Sequence, residues 1–130
     1  MNRPDSYLPY LSAADVTLRN GGGTFHAKNL VEFRGDYGFA VGLTPGSGRI
    51  VSGEAGKAEV SAAIYNVATQ FPNAPYIGTW IEQPADLVHV DPIVILPHID
   101  DAMVLARALG QKAIWSFAAA TVAGDGEILL

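Results

Sequence analysis

Tyr76-Ile77-Gly78-Thr79-Trp80-Ile81-Glu82, then Gln83-Pro84-Ala85-Asp86, then Leu87-Val88-His89-Val90-Asp91 is the stretch whose reading decides the fold. Two runs rich in β-branched and aromatic residues flank a Pro- and Asp-containing turn, which predicts a pair of antiparallel strands. Pro92 interrupts the second run, so Ile93 to Leu96 is either an edge extension or a bulged continuation. Upstream, Gly53 to Phe71 reads as a helix, with Val60, Ile64, Val67 and Phe71 on one face and Pro72 as its stop. Before it, Tyr37, Phe39, Val41 and Leu43 alternate with small residues, as in a strand with one heavy face. Thr44-Pro45-Gly46-Ser47-Gly48 is a turn, and Arg49-Ile50-Val51 pairs back as a short hairpin arm. Downstream, Asp100 or Asp101 caps a helix with an inner stripe of Ala102, Leu105, Ala106 and Leu109, and Gly110 closes it. Lys112 to Phe117 is the last strand of this series.

The order from residue 37 is strand, helix, strand, strand, helix, strand. That predicts an α+β fold of ferredoxin-like (split βαβ) order β-α-β-β-α-β, an antiparallel sheet with two helices on one face. Right-handed crossovers are expected to place the first and last of these strands mid-sheet. The 130 residues suit one domain, with 37–118 as the βαββαβ core. Residues 1–36 supply an N-terminal helix and an extended segment. Tyr7, Leu11, Ala14 and Leu18 set the helical spacing, and Ser12-Ala13-Ala14-Asp15 has the form of a capping box. Gly21-Gly22-Gly23 ends the helix, and short extended pieces follow near Thr24-Phe25 and Val31-Phe33. Residues 119–130 form a C-terminal hairpin or tail, with a turn at Ala123-Gly124-Asp125-Gly126.

Both faces of this sheet are apolar, because Tyr76 and Trp80 oppose Ile77 and Ile81 across one strand. Each uncovered ring forgoes about 4–6 kcal/mol of burial, at ~25 cal/mol per Å² over roughly 150–250 Å². The N-terminal helix is expected to cover part of the second face and a partner, either a host protein or a second copy in a homodimer, the rest. Trp80 and Trp115 themselves read as core residues, the commoner role of a strand Trp.

The charge is uneven. Residues 1–49 carry five basic side chains against four acids, whereas residues 50–130 carry three against nine. Glu82 to Asp101 contains five acids and no Lys or Arg. Nucleic-acid binding draws on clustered cations, so it is not expected here. An acidic face instead attracts a basic protein. No apolar run approaches the ~18 residues of a membrane helix, and Met1-Asn2-Arg3-Pro4-Asp5 lacks a secretory leader, which points to the cytoplasm. The absence of cysteine excludes disulfide and Cys-zinc scaffolds.

Catalytic motifs are few. Gly56-Lys57 lacks the flanking residues of a phosphate loop, and Gly46-Ser47-Gly48 lacks the spacing of a nucleophile elbow. His89-Val90-Asp91 places an imidazole and a carboxylate on one side of a strand, with His98, Asp100 and Asp101 downstream. His89, Asp91, His98 and Asp101 therefore form a candidate Zn or Fe set, the alternative to a protein with no cofactor. Against it, Asp100 and Asp101 fit a helix start and Asp91 a turn before proline. His26 has no acidic neighbour and reads as an exposed loop residue.

Tyr37-Gly38-Phe39-Ala40-Val41, Gly78-Thr79-Trp80-Ile81, Val88-His89-Val90-Asp91-Pro92 and Ala106-Arg107-Ala108-Leu109-Gly110-Gln111-Lys112-Ala113-Ile114-Trp115 resemble, in the same order, small accessory proteins of actinobacterial phages and prophages. Gly21-Gly22-Gly23-Thr24-Phe25 resembles their N-terminal segment. The family has no assigned activity, so the resemblance implies a phage-type protein of the host cytoplasm and no site residues. The function expected is binding of a host protein, as an inhibitor or modulator of a host or defence function, through Tyr76, Trp80, Glu82, His89 and Asp91. The alternatives are a small metal-dependent enzyme and a homo-oligomeric structural or minor virion protein.

Overall fold

The computed structural model describes residues 7–44, 49–52, 56–83, 86–123 and 125–130. The expected turn centres at Pro45 to Gly48, at Pro84-Ala85 and at Gly124, the expected helix start at Gly53 and the leader region Met1 to Asp5 lie outside these residues. The elements are α1 (Leu8–Asn20), β1 (Gly22–His26), β2 (Phe39–Gly42), β3 (Arg49–Ser52), α2 (Lys57–Gln70), β4 (Tyr76–Glu82), β5 (Leu87–Leu96), α3 (Ile99–Ala108), β6 (Ala113–Ser116), α4 (Phe117–Ala123) and β7 (Glu127–Leu129). The result is a mixed α+β architecture. One antiparallel sheet runs β1-β4-β5-β2-β6-β7, and β3 pairs with β5. The middle strands are β5 and β2, so the last strand of the predicted series, β6, lies further out than expected.

Arg49 to Ser52 does not fold back on β2. It pairs with Val90 to Leu87 on the same edge of β5 whose far half, Ile93 to Leu96, takes Gly42 to Phe39. β2 and β3 thus run in line along β5, with a break opposite Asp91 and Pro92. That break explains a proline inside a central strand. The Pro92 carbonyl accepts Leu43 N–H at 2.9 Å on this edge. The N–H that proline lacks would point the same way, into the break, so no ladder bond is lost. The interruption read at Pro92 is therefore carried by the neighbouring strand, and β5 continues through ten residues.

Register sorts the side chains. Val88, Val90, Pro92, Val94 and Leu96 on β5 share a face with Ile77, Thr79 and Ile81 on β4, with Phe25, and with Val41 and Ile114. α2 packs Val60, Ala63, Ile64 and Val67 against Ile77, Val88 and Val90. α3 packs Ala102 and Ala106 against Val41 and Ile114. Asp100 and Asp101 lie in its first turn, where they oppose the helix dipole, but the N-cap is His98. The expected stripe holds, and Gly110, at φ 74, closes this helix.

The N-terminal helix lies on this same face rather than the opposite one. β1 extends the sheet beyond β4, and α1 covers the added width beside α2, burying Ala13, Ala14 and Thr17. The Thr17 hydroxyl lies 2.6 Å from that of Thr79 and donates to the Ala13 carbonyl at 2.9 Å, tying the helix to β4. α1 starts at Leu8 with Pro9 in its first turn, where a missing N–H costs nothing. Asp15, read as part of a capping box, is mid-helix and pairs with Arg19 at 2.8 Å.

Gln111 closes a gap where β2 outruns β6. Its side-chain amide donates to the Gly42 carbonyl at 3.0 Å and also to that of Thr44. Gln111→Ala should cost about 1–3 kcal/mol by stranding these acceptors, read as a lower urea midpoint with unchanged slope. A Gln111→Ala protein as stable as the parent would show that water serves the carbonyls equally well.

Candidate functional site

On the sheet face away from α1, α2 and α3, the strands present Thr24 and His26 (β1), Tyr76, Trp80 and Glu82 (β4), Leu87, His89, Asp91, Ile93 and Ile95 (β5), Ala40 (β2), Trp115 (β6) and Glu127 (β7). The five predicted binding residues, Tyr76, Trp80, Glu82, His89 and Asp91, fall together here because β4 and β5 pair Trp80 with His89 and Gly78 with Asp91. Three of these strand side chains are carboxylates and none is Lys or Arg.

The face divides in two. At one end, Phe33 and Phe117 lie over the sheet. Phe33 meets Tyr76 at 5.6 Å and Phe117 at 4.9 Å between ring centroids, and His26 meets Tyr76 at 5.0 Å. Tyr76 is thereby half-buried in a small aromatic cluster, and His26 is a member of it, on a strand rather than in a loop. Leu30, buried and held at φ 58, anchors the segment that delivers Phe33. α4 was not foreseen. Its signal was present: Ser116 Oγ accepts the Ala119 N–H at 3.2 Å, an N-cap ahead of three alanines.

The other end is open. Trp80 and His89 stack in parallel, centroids 4.4 Å apart with 10° between planes. His89 Nε2 lies 3.0 Å from Glu82 Oε1, with the imidazole 8% exposed and the Glu82 side chain 42% exposed. Facing a carboxylate, Nε2 carries the proton and donates in both the neutral and the charged ring. The imidazole is thus clamped by a ring on one side and an acceptor at its edge, and it acts as a backing plate for Trp80. Trp80 itself remains 46% exposed. It is not the core residue that its strand position suggests. Trp115 is 39% exposed at the far end of the face, beside Glu127. Three strand positions across and six residues along separate the two tryptophans, on the order of 20 Å, so they do not clasp one small ligand.

On the other side of Trp80 the ladder places Gly22. A Cβ there would lie 2.6 Å from the Thr79 carbonyl oxygen, and φ is +155°, so this position takes glycine only. The indole therefore has an imidazole behind it and no side chain beside it on β1.

The candidate metal set does not assemble. β5 is continuous from Leu87 to Leu96, which puts about 23 Å of strand between His89 and the end of β5 before His98 is reached. His98 and Asp101 are exposed at the start of α3, on the opposite side of the sheet. Among the described residues no group of three or more His, Cys, Asp or Glu is placed to hold a metal ion, and no helix is long and apolar enough to cross a membrane. The chain matches no family model, no curated protein and no solved structure. Its functional reading comes from this geometry.

Proposed function

We propose that the chain is a non-enzymatic binding protein whose open sheet end docks a basic protein surface. One observation carries the reading: a tryptophan kept nearly half exposed by a stacked, carboxylate-clamped histidine on a face whose charged strand residues are all acidic. Rigid aromatic anchors with few rotamers to lose dominate protein interfaces, and surrounding carboxylates steer a cationic partner. The resemblance to phage accessory proteins supports a host protein as that partner and the host cytoplasm as the compartment. The neighbour order β6-β2-β5-β4, with α2 and α3 as the connecting helices, supports a ferredoxin-like reading of the core.

The test is affinity capture from host lysate with the parent chain and with Glu82→Lys. A stoichiometric partner of basic character, weakened by salt and lost with Glu82→Lys, is expected. A partner retained by Glu82→Lys but lost when Tyr65 on α2 is changed to Ala would move the interface to the helices and overturn the reading.

A further inference from the structure

In the row Gly22–Trp80–His89 the indole has a ring on one side and a glycine on the other. His89 occupies one side of the indole at 4.4 Å, and Gly22 offers no side chain on the other. The group that fits beside an exposed indole in an acidic setting is planar and cationic. Nucleobases are planar, but their phosphates meet Glu82 and Asp91 with no cation among the strand residues of the face. An ammonium carries the charge but has no plane to lay against the ring. A guanidinium has both, and its fork of N–H donors matches a carboxylate. Glu82 stands two residues from Trp80 on the same strand and face. Its Oε1 accepts the hydrogen bond from His89 Nε2, a carboxylate has further acceptor sites, and the side chain is 42% exposed.

We infer that the outer face of Trp80 receives an arginine side chain of the partner protein, stacked over Gly22 and ion-paired with Glu82. The inference rests on the proposed docking of a basic surface and names the side chain that does it. The His89 stack holds the indole upright before the partner arrives, so little rotamer freedom is lost on binding.

Because the chain has two tryptophans, a Trp115→Phe background leaves Trp80 as the only indole reporter. The probes are three short peptides of alternating Gly with Arg, Lys or the neutral isostere citrulline. Saturable change in Trp80 emission is expected with the Arg peptide, roughly five- to thirtyfold tighter than with Lys or citrulline. Glu82→Gln should erase most of the advantage of Arg over citrulline, while Trp80→Leu, checked for folding by its thermal melt and assayed by calorimetry, should abolish binding. Equal affinity for all three peptides, or an unchanged Arg affinity in Trp80→Leu, overturns the inference. So does a Trp80 signal that depends on protein concentration without peptide, which would place a second copy against Trp80. If the peptides fail but partner capture still requires Trp80 and Glu82, the docking face stands and only the arginine assignment falls. If capture ignores both residues, the docking reading falls as well.

Discussion

Phe25→Ala is expected to destabilise the protein by about 3–5 kcal/mol, a large share of the roughly 5–15 kcal/mol that holds a typical domain folded. Phe25 is 1% exposed and belongs to the core cluster that also holds Ala13 and Ala14 of α1 and Ile64 of α2. Gly23 makes room for the ring, since a Cβ there would lie 2.7 Å from it. Truncation leaves a void beside α1, whose approach to β4 is limited by the Thr17–Thr79 contact. Urea unfolding followed by circular dichroism measures the loss. Tyr37→Ala, at a ring 62% exposed, should stay within about 0.5 kcal/mol of the parent. A loss below about 1 kcal/mol for Phe25→Ala would mean that β1 and α1 do not share one core with α2.

Trp80→Ala should weaken the captured partner by about thirtyfold or more, the range of an interface anchor worth 2 kcal/mol or above. The same change should cost the fold only about 1–2 kcal/mol, because the indole is half exposed and its buried side meets mainly His89. A large effect on binding with a small one on stability is what separates a docking residue from a core residue. Tyr65→Ala on α2, an equally exposed ring at 46%, is the control and should leave binding unchanged. Equal losses from the two substitutions, measured by titration calorimetry with the purified partner, would remove Trp80 from the interface.

Much of the fold was legible as pattern. The two-residue periodicity put Tyr76, Trp80 and Glu82 on one side of β4 and His89 and Asp91 on one side of β5, and the pairing of Trp80 with His89 brought the two sets to one face. The stripe of α3 was legible for a similar local reason. The metal set was read from ligand types two to twelve residues apart. It fails because β5 runs unbroken through Pro92, and nothing around Pro92 in the sequence announces that the interruption belongs to the neighbouring strand. α4 was missed because Lys112 to Phe117 looks uniformly like strand, and its change to helix turns on the Ser116 hydroxyl capping the next turn.

Local chemistry alone determined which residues are helical or extended and which share a side, since those follow from side-chain periods and from proline and glycine within a few positions. Only the tertiary structure decided which side is covered. β1 widened the sheet past β4, so the N-terminal helix had helix-side area to bury and joined α2, while Phe33 and Phe117 closed just one end of the other face. Burial of apolar area has no preferred direction along the chain. The sequence could demand that both faces be covered, but which segment reaches which face depends on how far the sheet extends, and that left Trp80 in the open.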